Sequence, residues 1–187
     1  MFYSRTGTTK TNHYIETGTY RGDGIRRVLN NYEKIHSIEL SEKWYRYNTE
    51  QFKNCKNVKI YLGDSKKVLP ALLNTIEEPA TIFLDAHYSG APTAMGEEQT
   101  PLLHELELLK SRQYDDIIII ADCRMLGKAG TCGGSPTDPV YPLMNYDWRE
   151  ITEEKITKLM KKGYTLLKNY RNEYTDGATD QYILTRK

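Results

Sequence analysis

The sequence predicts an α/β protein, a three-layer, doubly wound, mostly parallel seven-stranded sheet closed by a C-terminal antiparallel β-hairpin. Three observations carry that prediction. Short apolar runs alternate with helical patterns five times between Tyr14 and Met160, the order that places crossover helices between parallel strands. Asp115–Arg124 contains four consecutive isoleucines, which suits a central strand covered on both faces. Two final strand-like runs, 164–174 and 180–187, flank Thr175-Asp176-Gly177-Ala178, a hairpin signal.

Taken in order, residues 1–11 read as a polar, mobile lead-in or flap. Tyr14-Ile15 begins the first strand, and Ile25, Val28 and Leu29 follow at helical spacing. Ile35–Leu40 is the second strand. Ser41 is placed to cap a helix carrying Trp44, Tyr45, Tyr47 and Phe52. Val58–Ser65 alternates as the third strand, and Ser65 is a candidate cap for a helix with Val68, Leu69, Leu72, Leu73 and Ile76 inside. Pro70 then marks a first-turn position or a kink. Ala80–Gly90 is the fourth strand, and Thr100-Pro101 opens a leucine-rich helix in cap-then-proline order. After the isoleucine strand, Met125 to about Glu150 reads as one long loop, rich in glycine and proline. Thr152 caps the last helix, which ends near Gly163.

At 187 residues the chain fits one domain, 1–187, without room for a linker. A net charge of +1 argues against a nucleic-acid binder with a broad basic surface. Three cysteines without a Cys-x-x-Cys pair indicate neither a disulfide frame nor a zinc site. No apolar run approaches membrane-spanning length and no signal peptide is evident, so the expectation is a soluble protein of a reducing, cytoplasmic compartment with no membrane partner. The 15 tyrosines offer flat amphipathic rings, which suit packing and also polyol surfaces.

The chemistry concentrates at predicted strand ends. Glu16, Thr17, Gly18, Tyr20 and Gly22 form a turn between the first strand and helix, where glycine permits positive φ and close ligand approach. Its spacing is not that of a dinucleotide or phosphate loop. Glu39, ending the second strand, stands where α/β folds bind a ribose diol; its loss is expected to weaken a nucleoside ligand and leave the fold intact. Asp64, Asp85 with His87, and Asp122 end the next three strands.

These residues, over nearly the whole chain, resemble the class I S-adenosylmethionine-dependent methyltransferases, whose fold is Rossmann-like. The resemblance implies that Glu16, Gly18 and Gly22 form the first cofactor motif, with Thr17 and Tyr20 inside it. It makes Glu39 the ribose acid and Asp64 with Ser65 the holders of the adenine edge. LDAHYSG and ADCR are similar to small metal-dependent sugar O-methyltransferases of the macrocin and aminocoumarin-sugar type. HYSG, TP…EL and DxRxxG are similar to glycan methyltransferases of bacteria and viruses, those of chlorovirus capsid sugars among them. That likeness implies Asp85 as a Mg²⁺ ligand bordering the cofactor, Asp122 as a second ligand and His87 as general base in place of the family's usual acid. Ala121 replaces one acid of the family's pair, which weakens the metal site. Tyr88 and Arg124 are expected to border a small-molecule or glycan acceptor. Alternatives remain: a metal-independent small-molecule methyltransferase, or a non-catalytic nucleotide-binding module. Neither the acceptor nor the oligomeric state, a homodimer included, is legible.

Overall fold

The computed structural model describes residues 11–90, 93–132, 143–170 and 179–187. Most of the expected lead-in, the turn 175–178, and the glycines and prolines at 133–142 lie outside them.

Among the described residues nine strands and five α-helices follow one another: β1 (His13–Thr17), α1 (Asp23–Val28), β2 (Lys34–Glu39), α2 (Glu42–Gln51), β3 (Val58–Leu62), α3 (Ser65–Leu73), β4 (Ala80–Leu84), α4 (Leu102–Leu109), β5 (Ile117–Ile120), β6 (Ala129–Cys132), β7 (Met144–Asp147), α5 (Glu153–Met160), β8 (Tyr164–Tyr170) and β9 (Thr179–Arg186). Seven strands form one sheet in the order β3-β2-β1-β4-β5-β9-β8. The first five are parallel and β9 and β8 are antiparallel, as the sequence predicts. The chain winds outward from β1 to β3, then returns to place β4 beside β1. That reversal opens a crevice at the carboxyl ends of β1 and β4.

Strand period decides which residues fill which layer. In β5, Ile118 and Ile120 join the core under α3, α4 and α5, whereas Ile117 and Ile119 join the core that includes Ile25 and Val28 of α1. β4 divides likewise, with Ile82 and Leu84 on the first face and Phe83 on the second. The isoleucine run is therefore buried on both sides.

Five local expectations need correction. The long loop contains the antiparallel pair β6 and β7. Thr11, the last residue of the expected lead-in, is buried, its hydroxyl 2.7 Å from that of Thr81. Ser41 precedes α2 without a side-chain cap; its amide is directed to Glu39 instead. Asp64, not Ser65, caps α3 by accepting from the Lys66 amide, and Pro70 lies in the helix interior rather than its first turn. α4 begins one residue later than expected, with Pro101 at the cap and the Thr100 hydroxyl accepting from the Leu102 amide.

The end of the sheet opposite the crevice is held by an ion pair. Arg112 Nε lies 2.6 Å from Asp116 Oδ2, and the guanidinium also donates to the carbonyls of Leu73, Ile76 and Glu78. Asp116 Oδ1 accepts from the Ala80 amide. One buried pair therefore ties the end of α3 to the starts of β4 and β5. Breaking such a pair strands a buried charge, so Arg112→Met is expected to cost about 3–5 kcal/mol in urea unfolding. A loss under about 1 kcal/mol would show that the pair is replaceable.

Candidate active site

Every acid predicted at a strand end reaches the crevice, but with different tasks. Glu39 is buried and already well partnered. Its Oε2 accepts from the Thr19 and Tyr20 amides at 3.1 and 2.8 Å, and Oε1 from the Ser41 amide at 2.7 Å. Burial raises its pKa, against the pull of those amides. A carboxylate has about four acceptor positions, so little more than one is left for a ligand hydroxyl. Glu39 is first the organiser of the turn and only then a ribose contact.

The turn's glycines are needed by packing. Gly18 has φ +86°, and a Cβ there would lie 2.5 Å from the Asp85 carbonyl oxygen. Gly22 has φ +79°, and its Cβ would meet Asn48 Oδ1 at 2.4 Å. Gly22 lines neither cavity described below; it lets α1 approach α2. Thr17 also lines neither, being fully buried with its carbonyl accepting from the Asp85 amide at 3.1 Å. Between the glycines, Tyr20 has φ +46°. Its amide is held by Glu39, and Asn48 Nδ2 donates to its carbonyl.

Across the turn stands the acidic cluster. His87 Nδ1 lies 3.3 Å from Asp85 Oδ1, and His87 Nε2 lies 3.2 Å from Asp122 Oδ2. Trp148, 2% exposed, meets the imidazole edge to face at 5.5 Å. Burial alone would depress the His87 pKa; the hydrogen bond to Asp85 and the charge of Asp122 outweigh it and raise it to about 9. At neutral pH the ring is an imidazolium held between two carboxylates. Burial also raises Asp85, with Asp122 and Asp180 adding to the rise and His87 opposing it. Asp122 has φ +53°, in the left-handed region that aspartate tolerates better than most residues. Arg124 pairs with Asp122 and, at 2.5 Å, with Asp180 of β9. It lines neither cavity, and its half-exposed guanidinium serves as a counter-charge to both aspartates.

Two cavities open on these residues. The first, ≈ 330 Å³, runs over Gly18, Tyr20, Glu39, Asp64 and Ser65 to Asp85, His87, Tyr88 and Asp122. Its roof is drawn down by Lys66, 3.1 Å from Glu97 and 3.4 Å from Glu98. Asp64 keeps one oxygen on the Lys66 amide. Buried Ser65 Oγ makes no hydrogen bond of good geometry among the described residues. Nearby Glu105, buried on α4, is lifted to about 7 by that burial, against the Ser65 and Thr17 hydroxyls beside it. The second cavity, ≈ 270 Å³, reaches toward α1 and β9. Glu16 lines this one and not the first, accepting from Ser37 Oγ at 2.7 Å and Tyr14 Oη at 3.5 Å. Burial raises it to about 8. Gly18, Tyr20, Asp85 and Asp122 belong to both cavities. Tyr20 and Asp122 are also the two non-glycine residues with positive φ among those described.

No protein-family model matches the chain, and no curated protein matches its sequence. Solved structures match its fold. A candidate methyltransferase from Streptococcus mutans in complex with SAH aligns at TM-score 0.60 and 11% identity, over 95% of this chain and 90% of its own. The fold is that of the Rossmann-like methyltransferases. An S-adenosylmethionine-dependent methyltransferase from Clostridium acetobutylicum shares it at TM-score 0.52 and 12% identity, covering 93% and 83% of the two chains. So does the 23S rRNA methyltransferase ErmE, at 0.56 and 11%, covering 95% and 62%.

Sequence reasoning missed Trp148, Glu105, Asp180, Gln181 and Asn48. Trp148 sat in a presumed loop. Asp180 and Gln181, in contrast, open an otherwise apolar strand as adjacent polar residues, a signal that was available. The expectation that Glu39 is dispensable to the fold also changes. Glu39→Ala leaves three amides without their acceptor and is expected to cost about 2–5 kcal/mol in urea unfolding followed by circular dichroism. A loss under about 1 kcal/mol would mean that the amides find other partners.

Proposed function

We propose that the chain is an S-adenosylmethionine-dependent O-methyltransferase acting on a sugar hydroxyl of a glycan or nucleotide-sugar, with a His87-centred base and assistance from a divalent cation such as Mg²⁺. The observation that carries this reading is the wall shared by the two cavities. In a methyltransferase fold, the two strained residues and the His87 cluster coincide where a methyl donor and an acceptor would meet. Strain persists where the surroundings over-determine it, and it concentrates at functional sites.

The first cavity fits the donor. Ser65 Oγ is a buried hydroxyl on its wall without a well-formed hydrogen bond, Glu39 keeps one acceptor position for a ribose hydroxyl, and Asp64 stands beside Ser65. S-adenosylmethionine, when bound, supplies a methyl on a sulfonium: the acceptor oxygen bonds to the methyl carbon as the carbon–sulfur bond breaks, leaving the electron pair on sulfur. Asp85 fixes the imidazole through Nδ1, and the acceptor's proton goes to Nε2, which Asp122 then stabilises. This requires His87 to be neutral beforehand. Because its folded pKa lies near 9, the competent form increases as pH rises toward that value, not merely above the ordinary imidazole range.

The donor set also fits a cation. Ligand atoms of Asp85, His87 and Asp122 lie within 4.8 Å of one another, the one such cluster among the described residues. Two carboxylates with water suit a hard ion. Asp85 and Asp122 would hold it, and it would polarise an acceptor hydroxyl. An RNA acceptor, the kind named for several structural neighbours, is less well supported by a net charge of +1.

A methyl-transfer assay with labelled S-adenosylmethionine against deoxysugars, nucleotide sugars and a structured RNA, with Mg²⁺ or chelator, tests the reading. Label is expected in a sugar, with less in chelator; label confined to RNA, or none anywhere, contradicts it. His87→Ala is expected to lower turnover by about two to four orders of magnitude while donor affinity stays near wild type. Without cation, wild-type turnover should rise up to about pH 9. A cation that draws on Asp85 and Asp122 should move that inflection downward. A flat profile shared by wild type and His87→Ala would make His87 a packing residue.

A further inference from the structure

The second cavity has a chemistry that the donor does not explain. It shares Gly18, Tyr20, Asp85 and Asp122 with the first cavity, yet touches none of the residues on the ribose and adenine side, namely Glu39, Asp64 and Ser65. Its remaining wall carries three buried polar groups, with Glu16 2% exposed, Asp180 5% and Gln181 3%, beside the charged side chains of Arg21, Asp23 and Arg27. Side chains this buried are held in place by the fold, unlike the solvated charges of an open surface.

The charges in this wall already have partners. Asp180 and Asp122 are both paired with Arg124, Asp85 with His87, and Asp23 with Arg26 at 3.4 Å. Glu16 accepts from two hydroxyls. An ammonium ligand would have to compete with His87, Arg124 and Arg26 for carboxylates that are already paired, and an anion would face five acids against Arg21 and Arg27. A neutral molecule rich in hydroxyls meets neither difficulty. Paired carboxylates keep unused lone pairs for hydroxyl donors, and a glutamine side chain both donates and accepts. Tyr14 and Phe83 complete the lining with aromatic surface, against which the apolar face of a sugar ring packs.

We propose that this second cavity binds the methyl acceptor, and that Glu16, Asp180 and Gln181 select it as a neutral polyol of roughly monosaccharide size. The proposal rests on the O-methyltransferase reading and assigns Glu16 to the acceptor instead of the cofactor. Donor and acceptor then meet across Tyr20, Asp85 and Asp122, which puts an acceptor hydroxyl within reach of the His87 cluster. Arg124 contributes from behind the wall, as the counter-charge shared by Asp180 and Asp122.

The test is amide mapping by NMR on the isotope-labelled chain saturated with SAH. The probes are the methyl glycosides of glucose, mannose, galactose, rhamnose and xylose at millimolar concentration. At least one is expected to shift the amides of Thr19, Gly24 and Gln181. Gln181→Leu and, independently, Glu16→Gln are expected to weaken that glycoside by about tenfold while SAH affinity changes less than about twofold. Because the two variants perturb different strands, either one that folds decides the matter. If a folded variant weakens SAH by about tenfold but leaves adenosine unaffected, the cavity belongs to the donor's amino-acid end and the proposal fails. It fails equally if none of the five glycosides moves those amides. Absence of SAH binding to the wild type is a different result: it overturns the underlying reading itself.

Discussion

The candidate site depends on how closely the β1–α1 turn approaches the end of β4. Gly18 sits with its α-carbon hydrogen against the Asp85 carbonyl, in a gap that no other side chain can enter. Two further bonds lock the arrangement: Gly18 donates its amide to the Ile38 carbonyl, and Asp85 donates its own to Thr17. The turn that would receive the donor and the loop that carries Asp85 and His87 are therefore one rigid unit. Any residue larger than glycine at position 18 would separate them and pull the shared wall apart. Glycine is required here by backbone against backbone, before any ligand is considered.

Electrostatics build on that contact. The sheet brings Glu16, Glu39, Asp85, Asp122 and Asp180 to one edge, a concentration of acid that burial makes costly. The structure offsets the cost in three ways. Backbone amides satisfy Glu39, Arg124 and His87 pair with three of the aspartates, and Glu16 has its pKa raised to about 8. A group raised this far binds protons in the folded state that it loses in the unfolded chain above pH 4.5. The stability contributed by neutral Glu16 is thus lost as pH rises from that value through about 8. His87 titrates in the same direction, its contribution full below 6.5 and gone above about 9. Mildly acidic to neutral pH favours the fold, whereas the proposed base needs higher pH.

Much of this was legible in the sequence because period and spacing report on backbone. The isoleucine run of β5 required burial on both faces, and its side chains divide two and two between the cores. Glu16, Glu39, Asp64, Asp85 and Asp122 all stand at strand ends, as their positions after apolar runs imply. What spacing could not report is which polar group each acid faces. Glu39, expected as a ligand contact, also accepts from three amides of the turn and of Ser41. Arg124, expected at the acceptor's rim, pairs with Asp122 and Asp180. Gly22, expected as a cofactor glycine, lies against Asn48. The partners that decide these roles come mostly from elsewhere in the chain, from the β1–α1 turn, from β9 and from α2, and spacing along one strand does not report them. The hairpin β6–β7 was hidden for a different reason. Glycines and prolines dominate Met125–Glu150, and they mask the short strand at Met144–Asp147 that leads into Trp148.

The most direct measurement is calorimetric titration of the folded wild-type chain with S-adenosylmethionine, SAH and NAD⁺ in parallel. The account predicts one-to-one binding of the first two and no heat from NAD⁺, because the turn lacks the glycine pattern that cradles a pyrophosphate. Binding of NAD⁺ in preference to SAH, or no binding of SAH at all, would contradict it.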